Sequence, residues 1–163
     1  MRRNMYRSIE LFITKLAGHS VFIIDEPMNS FKEVEKEFPE RDHITKDMWP
    51  LKSARGIKII EIISCEGGDY NSVMSEIRNC GYEPAPAQHF VKIGLRNRRQ
   101  LEKHTHIYCL DEKFIGKDRI LSLDLVVKEN KASLDGMPIS FIGRYGTGWY
   151  AVVKKQIPRK TAN

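Results

Sequence analysis

Among the residues whose types and spacing could do chemistry, the pair most like a metal site is His104 and His106, which are separated by one residue. Alternate residues of a β-strand point to the same face of a sheet, so two imidazoles at this spacing could bind one metal ion. A metal site needs at least a third ligand, and Asp111 or Asp118 would have to fold back to supply it. We therefore expect no metal site and no catalytic residue, and a metal-dependent hydrolase is the third of three functional hypotheses.

A second candidate is the glycine-rich run at residues 143–148. A phosphate-binding glycine loop must lie between a strand and a following helix, but the β-type residues 149–153 follow here, which predicts a hairpin. This hairpin would expose Arg144, Tyr145 and Trp149, a cation and two aromatic rings suited to stacking on a base or a sugar. Binding of a small ligand or carbohydrate is the second hypothesis.

The third feature is the distribution of the net charge of +6, because two short segments carry +4 each and the remaining residues sum to −2. The cations of the first segment are Lys92, Arg96, Arg98, Arg99 and Lys103; those of the second are Lys154, Lys155, Arg159 and Lys160. A solvated helix face and a frayed tail would give the same composition, but clustered cations also attract anionic partners.

The leading hypothesis is a non-enzymatic binding or regulatory protein that contacts an anionic partner through a basic helix at residues 92–103 and through Lys154 and Lys155. The partner would be a nucleic acid or an acidic protein surface. Because no aromatic RNA-recognition signature is present, contacts to nucleic acid would be mainly to phosphates. We expect Arg96, Arg98 and Arg99 to project into solvent.

The composition of the chain indicates where the protein is located and whether its cysteines form disulfides. Hydrophobic residues make up 41% of the chain and charged residues 29%, as in globular proteins, and no apolar run approaches the ~20 residues of a membrane-spanning helix. The polar residues near the N-terminus argue against a signal peptide, and the odd set Cys65, Cys80 and Cys109 suggests reduced thiols. We expect a cytoplasmic protein with no cofactor and no membrane partner.

The order of the elements predicts an α+β fold, with helices packed on a mostly antiparallel, twisted sheet in a single domain. Residues 4–17 have the periodicity of an amphipathic helix, residues 57–63 that of a strand, and Asp69 is placed to cap a following helix that ends at Gly81. Turns are predicted at residues 129–131 and 135–136, and a strand at residues 139–142.

An N-terminal segment (1–40) would pack on a main domain (41–155), followed by a flexible basic tail (156–163). One shared core is expected to contain Ile59, Ile60, Ile62, Val73, Ile77, Leu123, Leu125 and Val152.

Two segments also carry a family resemblance. Residues 81–85 read Gly-Tyr-Glu-Pro-Ala, and residues 149–155 read Trp-Tyr-Ala-Val-Val-Lys-Lys. Together they resemble an uncharacterised family of small bacterial proteins with a Gly-Tyr-Arg-Pro-Ala helix start and a terminal aromatic-Ala-Val-Arg-Lys strand. This chain has Glu83 and Lys154 where arginines are usual, and the resemblance implies an architecture but no activity. A looser similarity to C-type-lectin-like domains implies that the ligand-binding alternative would be lectin-like.

Overall fold

The computed structural model describes residues 2–50, 52–96, 98–112, 114, 121–142 and 148–156. The helices are α1 (Arg2–Ala17), α2 (Phe31–Glu37), α3 (Tyr70–Asn79), α4 (Ala87–Ile93) and α5 (Arg98–Glu102), with short 3₁₀ helices at Lys46–Met48 and Ile139–Phe141. The strands are β1 (Ser20–Ile24), β2 (Arg41–Asp42), β3 (Lys58–Cys65), β4 (Tyr82–Pro84), β5 (His106–Cys109), β6 (Leu121–Lys128), β7 (Lys131–Pro138) and β8 (Gly148–Lys154).

The strands form one eight-stranded sheet in the order β1-β3-β8-β5-β6-β7-β2, with β4 also paired to β8. The pairs β5–β8 and β2–β7 are parallel and the other described pairs are antiparallel. The helices and the mostly antiparallel sheet agree with the predicted α+β class. Strand β1, from the N-terminal segment, pairs with β3 and so belongs to the same sheet as the later strands.

The two faces of the sheet bury different side chains because successive strand residues point to opposite sides. Ile60 and Ile62 belong to the larger core cluster, which also contains residues of α2 and α4; we call this side the front face. Cys65 belongs to a smaller cluster around α3 on the other side, the back face. The core therefore has two layers separated by the sheet.

The prediction of one shared core is wrong in two respects. Val73, Ile77 and Val152 are buried, but in the back-face cluster rather than with the front-face residues. Ile59 is 48% exposed; it pairs with Ile23 on the β1–β3 ladder and takes part in neither cluster. Adjacent residues of a strand point to opposite faces of the sheet, so Ile59 and Ile60 cannot share one core.

The single basic helix predicted at residues 92–103 is also wrong. Helix α4 ends at Ile93 and α5 begins at Arg98. Gly94 lies at the C-terminal cap of α4, where an added Cβ atom would lie 2.8 Å from a methyl carbon of Leu125 and 3.1 Å from the ring of Phe38. Glycine therefore lets the chain pass close to the front-face core as the helix ends.

Other local predictions have mixed outcomes. The predicted turn at 129–131 is the β6–β7 hairpin, whose turn residues Glu129 and Asn130 both have positive φ. The turn expected at Asp135 and Gly136 is wrong because both residues lie within β7. The strand expected at residues 139–142 is instead a 3₁₀ helix that ends at Phe141.

Candidate anion-binding groove

Arg96 is a structural residue and does not project into solvent as predicted. Its guanidinium donates hydrogen bonds to the backbone oxygen of Ile23 (2.8 Å) and to Asp25 (3.1 Å), and it lies 3.7 Å from the carboxylate of Glu10. The backbone N–H of Ile23 donates to Glu10 at 2.7 Å. These contacts satisfy backbone groups of β1, which lies at the end of the sheet order. Arg96 and Glu10 therefore cap an edge strand.

The other predicted cations of this segment fall into two groups. Arg98 is half-buried, because its side chain donates to the backbone oxygens of Gly94 (3.2 Å) and Asn130 (2.9 Å) and so ties α5 to the β6–β7 turn. The prediction that it projects into solvent is therefore wrong as well. Lys92 is half-buried, whereas Arg99 and Lys103 are exposed. Only two of the five cations are thus fully available to a partner.

Trp149 faces inward, toward a buried histidine. Its ring centroid lies 4.3 Å from that of His104, which is 5% exposed and within 3.1 Å of the hydroxyl of Ser20. Burial, together with a smaller effect of the nearby Lys103, lowers the pKa of His104 to about 4. The partly buried ring of Trp149 therefore packs against His104, and Arg144 and Tyr145, predicted to share its surface, lie outside the described residues.

The two histidines considered for metal binding do not share a face. Thr105, between them, has φ +59°, so the backbone is not a regular strand there. His104 is buried against Trp149, whereas the exposed ring of His106 lies 2.8 Å from Asp124. Burial raises the pKa of Asp124, and its contact with His106 partly offsets that rise. Within the described ranges, no group of three or more His, Cys, Asp or Glu side chains could hold a metal ion.

The basic surface that the structure does form is a groove made of two adjoining cavities. The first, of about 720 Å³, lies between the connector before β3 and the start of α4. The second, of about 670 Å³, lies beside β4 and the end of β8. Both are lined by Lys58, Pro86 and Asp111, so the two cavities adjoin, and we call them together the groove.

Four cations give the groove its charge: Lys52, Arg55, Lys58 and Lys155. Among the described residues none of these four forms an ion pair. A fifth cation, Arg78, is neutralised by Glu112 at 2.9 Å. The carboxylate of Asp111 accepts a hydrogen bond from the backbone N–H of Ala87 at 2.9 Å. Asp47 also lines the first cavity and Glu83 the second, so the four cations exceed the three carboxylates outside the Arg78–Glu112 pair by one.

The connector that carries Lys52 and Arg55 is held in place by hydrogen bonds. The side chain of Gln88 donates to the backbone oxygen of Lys52 (2.7 Å), and Asn29 exchanges two hydrogen bonds with the backbone of Ala54. His89 is completely buried, and burial lowers its pKa, so the neutral ring donates from Nε2 to the backbone oxygen of Gly56 at 2.9 Å. The loop is thus anchored to α4 on one wall of the groove.

Of the predicted site residues that the structure describes, the groove includes only Lys155; Lys154 is exposed on β8 and pairs with Tyr82 of β4. The sequence contained an indication of the other three, because Lys52, Arg55 and Lys58 recur every third residue from the connector into the start of β3. No family model, curated protein or solved structure matches the chain. The resemblance to an uncharacterised bacterial family therefore stays an expectation. No helix in the described part of the chain is long and apolar enough to cross a membrane.

Proposed function

We propose that this chain is a binding protein for an anionic polymer, and that the polymer lies in the groove. The observation that carries the proposal is the set of four cations without ion-pair partners in the described structure, all lining one concave surface. Lysine and arginine side chains that contact phosphates release condensed counterions, which makes such binding favourable at low salt. The proposal keeps the predicted type of partner and Lys155, but moves the rest of the contact from residues 92–103 to the groove.

The favoured partner is a single-stranded nucleic acid. Proteins that bind single strands with little sequence preference use a positively charged groove that follows the backbone. Stacking would contribute little here, because Trp49, which lines the first cavity, is 4% exposed. Tyr82, in the second cavity, is half-buried and hydrogen-bonds Glu61. Recognition would therefore rest on the backbone and be weakly sequence-specific.

The role is a non-enzymatic one. The chemically versatile groups nearest the groove are occupied by structural contacts: His89 donates to Gly56, and Asp111 accepts from Ala87. Besides the exposed Glu83, the charged side chains that remain available are cations, which bind and orient phosphates but are not by themselves an acid–base pair. An acidic protein surface would contact the same cations, so the binding test includes an acidic protein as a further ligand.

Fluorescence anisotropy with labelled single-stranded RNA and DNA at low salt tests the proposal. The groove variant Lys58→Gln/Lys155→Gln is compared with Arg99→Gln/Lys103→Gln, which removes the same charge from two exposed residues, one in α5 and one just after it. The groove variant should bind more weakly, and its slope of log affinity against log salt should be smaller by about 0.7 for each lost phosphate contact. A greater loss in the α5 variant, or no affinity for either strand, would contradict the proposal. If the protein bound an acidic protein and neither nucleic acid, the partner would be an acidic protein surface instead of a nucleic acid.

A further inference from the structure

Helix α1 carries a row of large apolar side chains that the protein does not bury. Met5 is 55% exposed, Ile9 39% and Phe12 64%. Their spacing of four and three residues places them on one side of the helix, and we call these three residues the α1 stripe. Isolated exposed apolar residues are ordinary, but an aligned group on one helix is typical of an interaction surface.

A different side of α1 is fixed to the sheet. The backbone N–H groups of Val21 and Ile23, on β1, donate to Thr14 (3.1 Å) and Glu10 (2.7 Å) of the helix. Arg96 adds an ion pair to Glu10. The helix therefore cannot turn to bury the α1 stripe without losing these contacts. It also cannot be enclosed on all sides by the groove of a partner protein, so a flat surface fits it better.

The charge of α1 indicates the kind of surface. The helix contains Arg2, Arg3, Arg7 and Lys15, and its only acidic residue, Glu10, is 2% exposed and used in the contacts with β1 and Arg96. Two copies of the helix packed through their stripes would bring basic ends together in either orientation, because cations lie near both ends. The occupant should therefore be anionic as well as apolar.

We propose that the basic helix α1 lies on an anionic lipid surface, with the α1 stripe inserted among the acyl chains. Basic amphipathic helices bind membranes in this way without crossing them. The expectation of no membrane partner rested on the absence of a spanning segment, which this mode of binding does not need. The proposal is independent of the groove, which uses other residues.

Co-sedimentation with vesicles tests the proposal. The protein should sediment with vesicles of phosphatidylcholine mixed with phosphatidylglycerol and stay in the supernatant with phosphatidylcholine alone. Ile9→Ser/Phe12→Ser should weaken sedimentation by at least about tenfold, since each inserted apolar side chain contributes this much. Leu11→Ser is the matched control, because Leu11 is 54% exposed on the same helix but lies outside the α1 stripe.

Three results would overturn the proposal. The first is failure of the wild-type protein to sediment with the mixed vesicles, and the second is equal loss in the Leu11→Ser control. The third is a concentration-dependent dimer in analytical ultracentrifugation that Ile9→Ser/Phe12→Ser abolishes, which would assign the α1 stripe to a second copy of the chain. The groove variant Lys58→Gln/Lys155→Gln should keep its vesicle binding, which separates this proposal from the proposed function.

Discussion

Arg96 donates a 2.8 Å hydrogen bond to the backbone oxygen of Ile23, although the two residues lie 73 positions apart. The bond joins the segment between α4 and α5 to strand β1, and the same guanidinium pairs with Asp25 at 3.1 Å. A cation that looked like part of a docking face is therefore part of the fold. Of the predicted docking arginines, Arg99 is the exposed one.

Arg96→Gln should lower the free energy of unfolding by about 1.5–3 kcal/mol, the typical range for hydrogen bonds to charged groups. Arg99→Gln, the matched control, should change it by less than about 0.5 kcal/mol because exposed charges contribute little to stability. Urea unfolding followed by circular dichroism measures both. Equal effects of the two substitutions would argue against the structural role of Arg96.

Ile59 and Ile60 offer a second matched pair, since they are adjacent but point to opposite faces of β3. Ile60 is fully buried and Ile59 is 48% exposed. Ile60→Ala should cost about 2–5 kcal/mol of unfolding free energy through lost contacts and a cavity, and Ile77→Ala in the back-face cluster should cost a similar amount. Ile59→Ala should cost less than about 1 kcal/mol. If the two β3 variants unfolded at the same urea concentration, the assignment of faces would be wrong.

The buried ring of His104 predicts a loss of stability in acid. Its pKa is about 4 in the folded protein against an ordinary value of 6.5, so the unfolded chain takes up a proton first as the pH falls. The contribution of His104 is fully present above pH 6.5 and declines toward pH 4, by at most about 1.4 kcal/mol per pH unit.

His104→Gln, which cannot titrate, is the comparison for this prediction. Asp124 acts in the opposite direction because burial raises its pKa, so the wild-type curve contains both effects and the difference between the two proteins isolates His104. Urea unfolding at a series of pH values between 4 and 7 provides that difference. A difference that does not vary with pH would show that His104 titrates normally.

The three cysteines should differ in their reaction with a thiol reagent. Cys65 and Cys109 are each 1% exposed, whereas Cys80 is exposed. Burial raises the pKa of the Cys65 thiol to about 12 and that of Cys109 well above its ordinary value, so neither forms the reactive thiolate near neutral pH. One thiol per native chain should react with Ellman's reagent, and Cys80→Ser should abolish the reaction. Rapid reaction of two or three thiols would contradict the described burial.

Local patterns were enough to predict many elements of this fold. The helix cap at Asp69 forms as expected, with its carboxylate accepting from the backbone N–H of Ser72 at 2.8 Å, and Gly81 takes the positive φ that the helix end requires. These features depend on neighbours a few residues away. The β-type pattern of residues 149–153 likewise corresponds to β8.

The features that could not be predicted depend on distant contacts. No local pattern shows that Arg96 meets Asp25, or that His104 is packed against Trp149. The groove joins a connector before β3 to the end of β8, so Lys58 and Lys155 come together only in the folded sheet. The spacing of Lys52, Arg55 and Lys58, one cation every third residue, is visible in the sequence. Without the fold it looks like ordinary charge in a solvated segment.

The most direct test of the central proposal is a map of backbone amide shifts in ¹⁵N-labelled protein titrated with a short single-stranded oligonucleotide at low salt. We predict that the largest changes fall at Lys52, Arg55, Lys58, Asp111 and Lys155, along the two cavities of the groove, and that they diminish in Lys58→Gln/Lys155→Gln. Changes centred instead on Arg99 and Lys103, with the groove amides unmoved, would contradict the proposal and return the binding surface to α5.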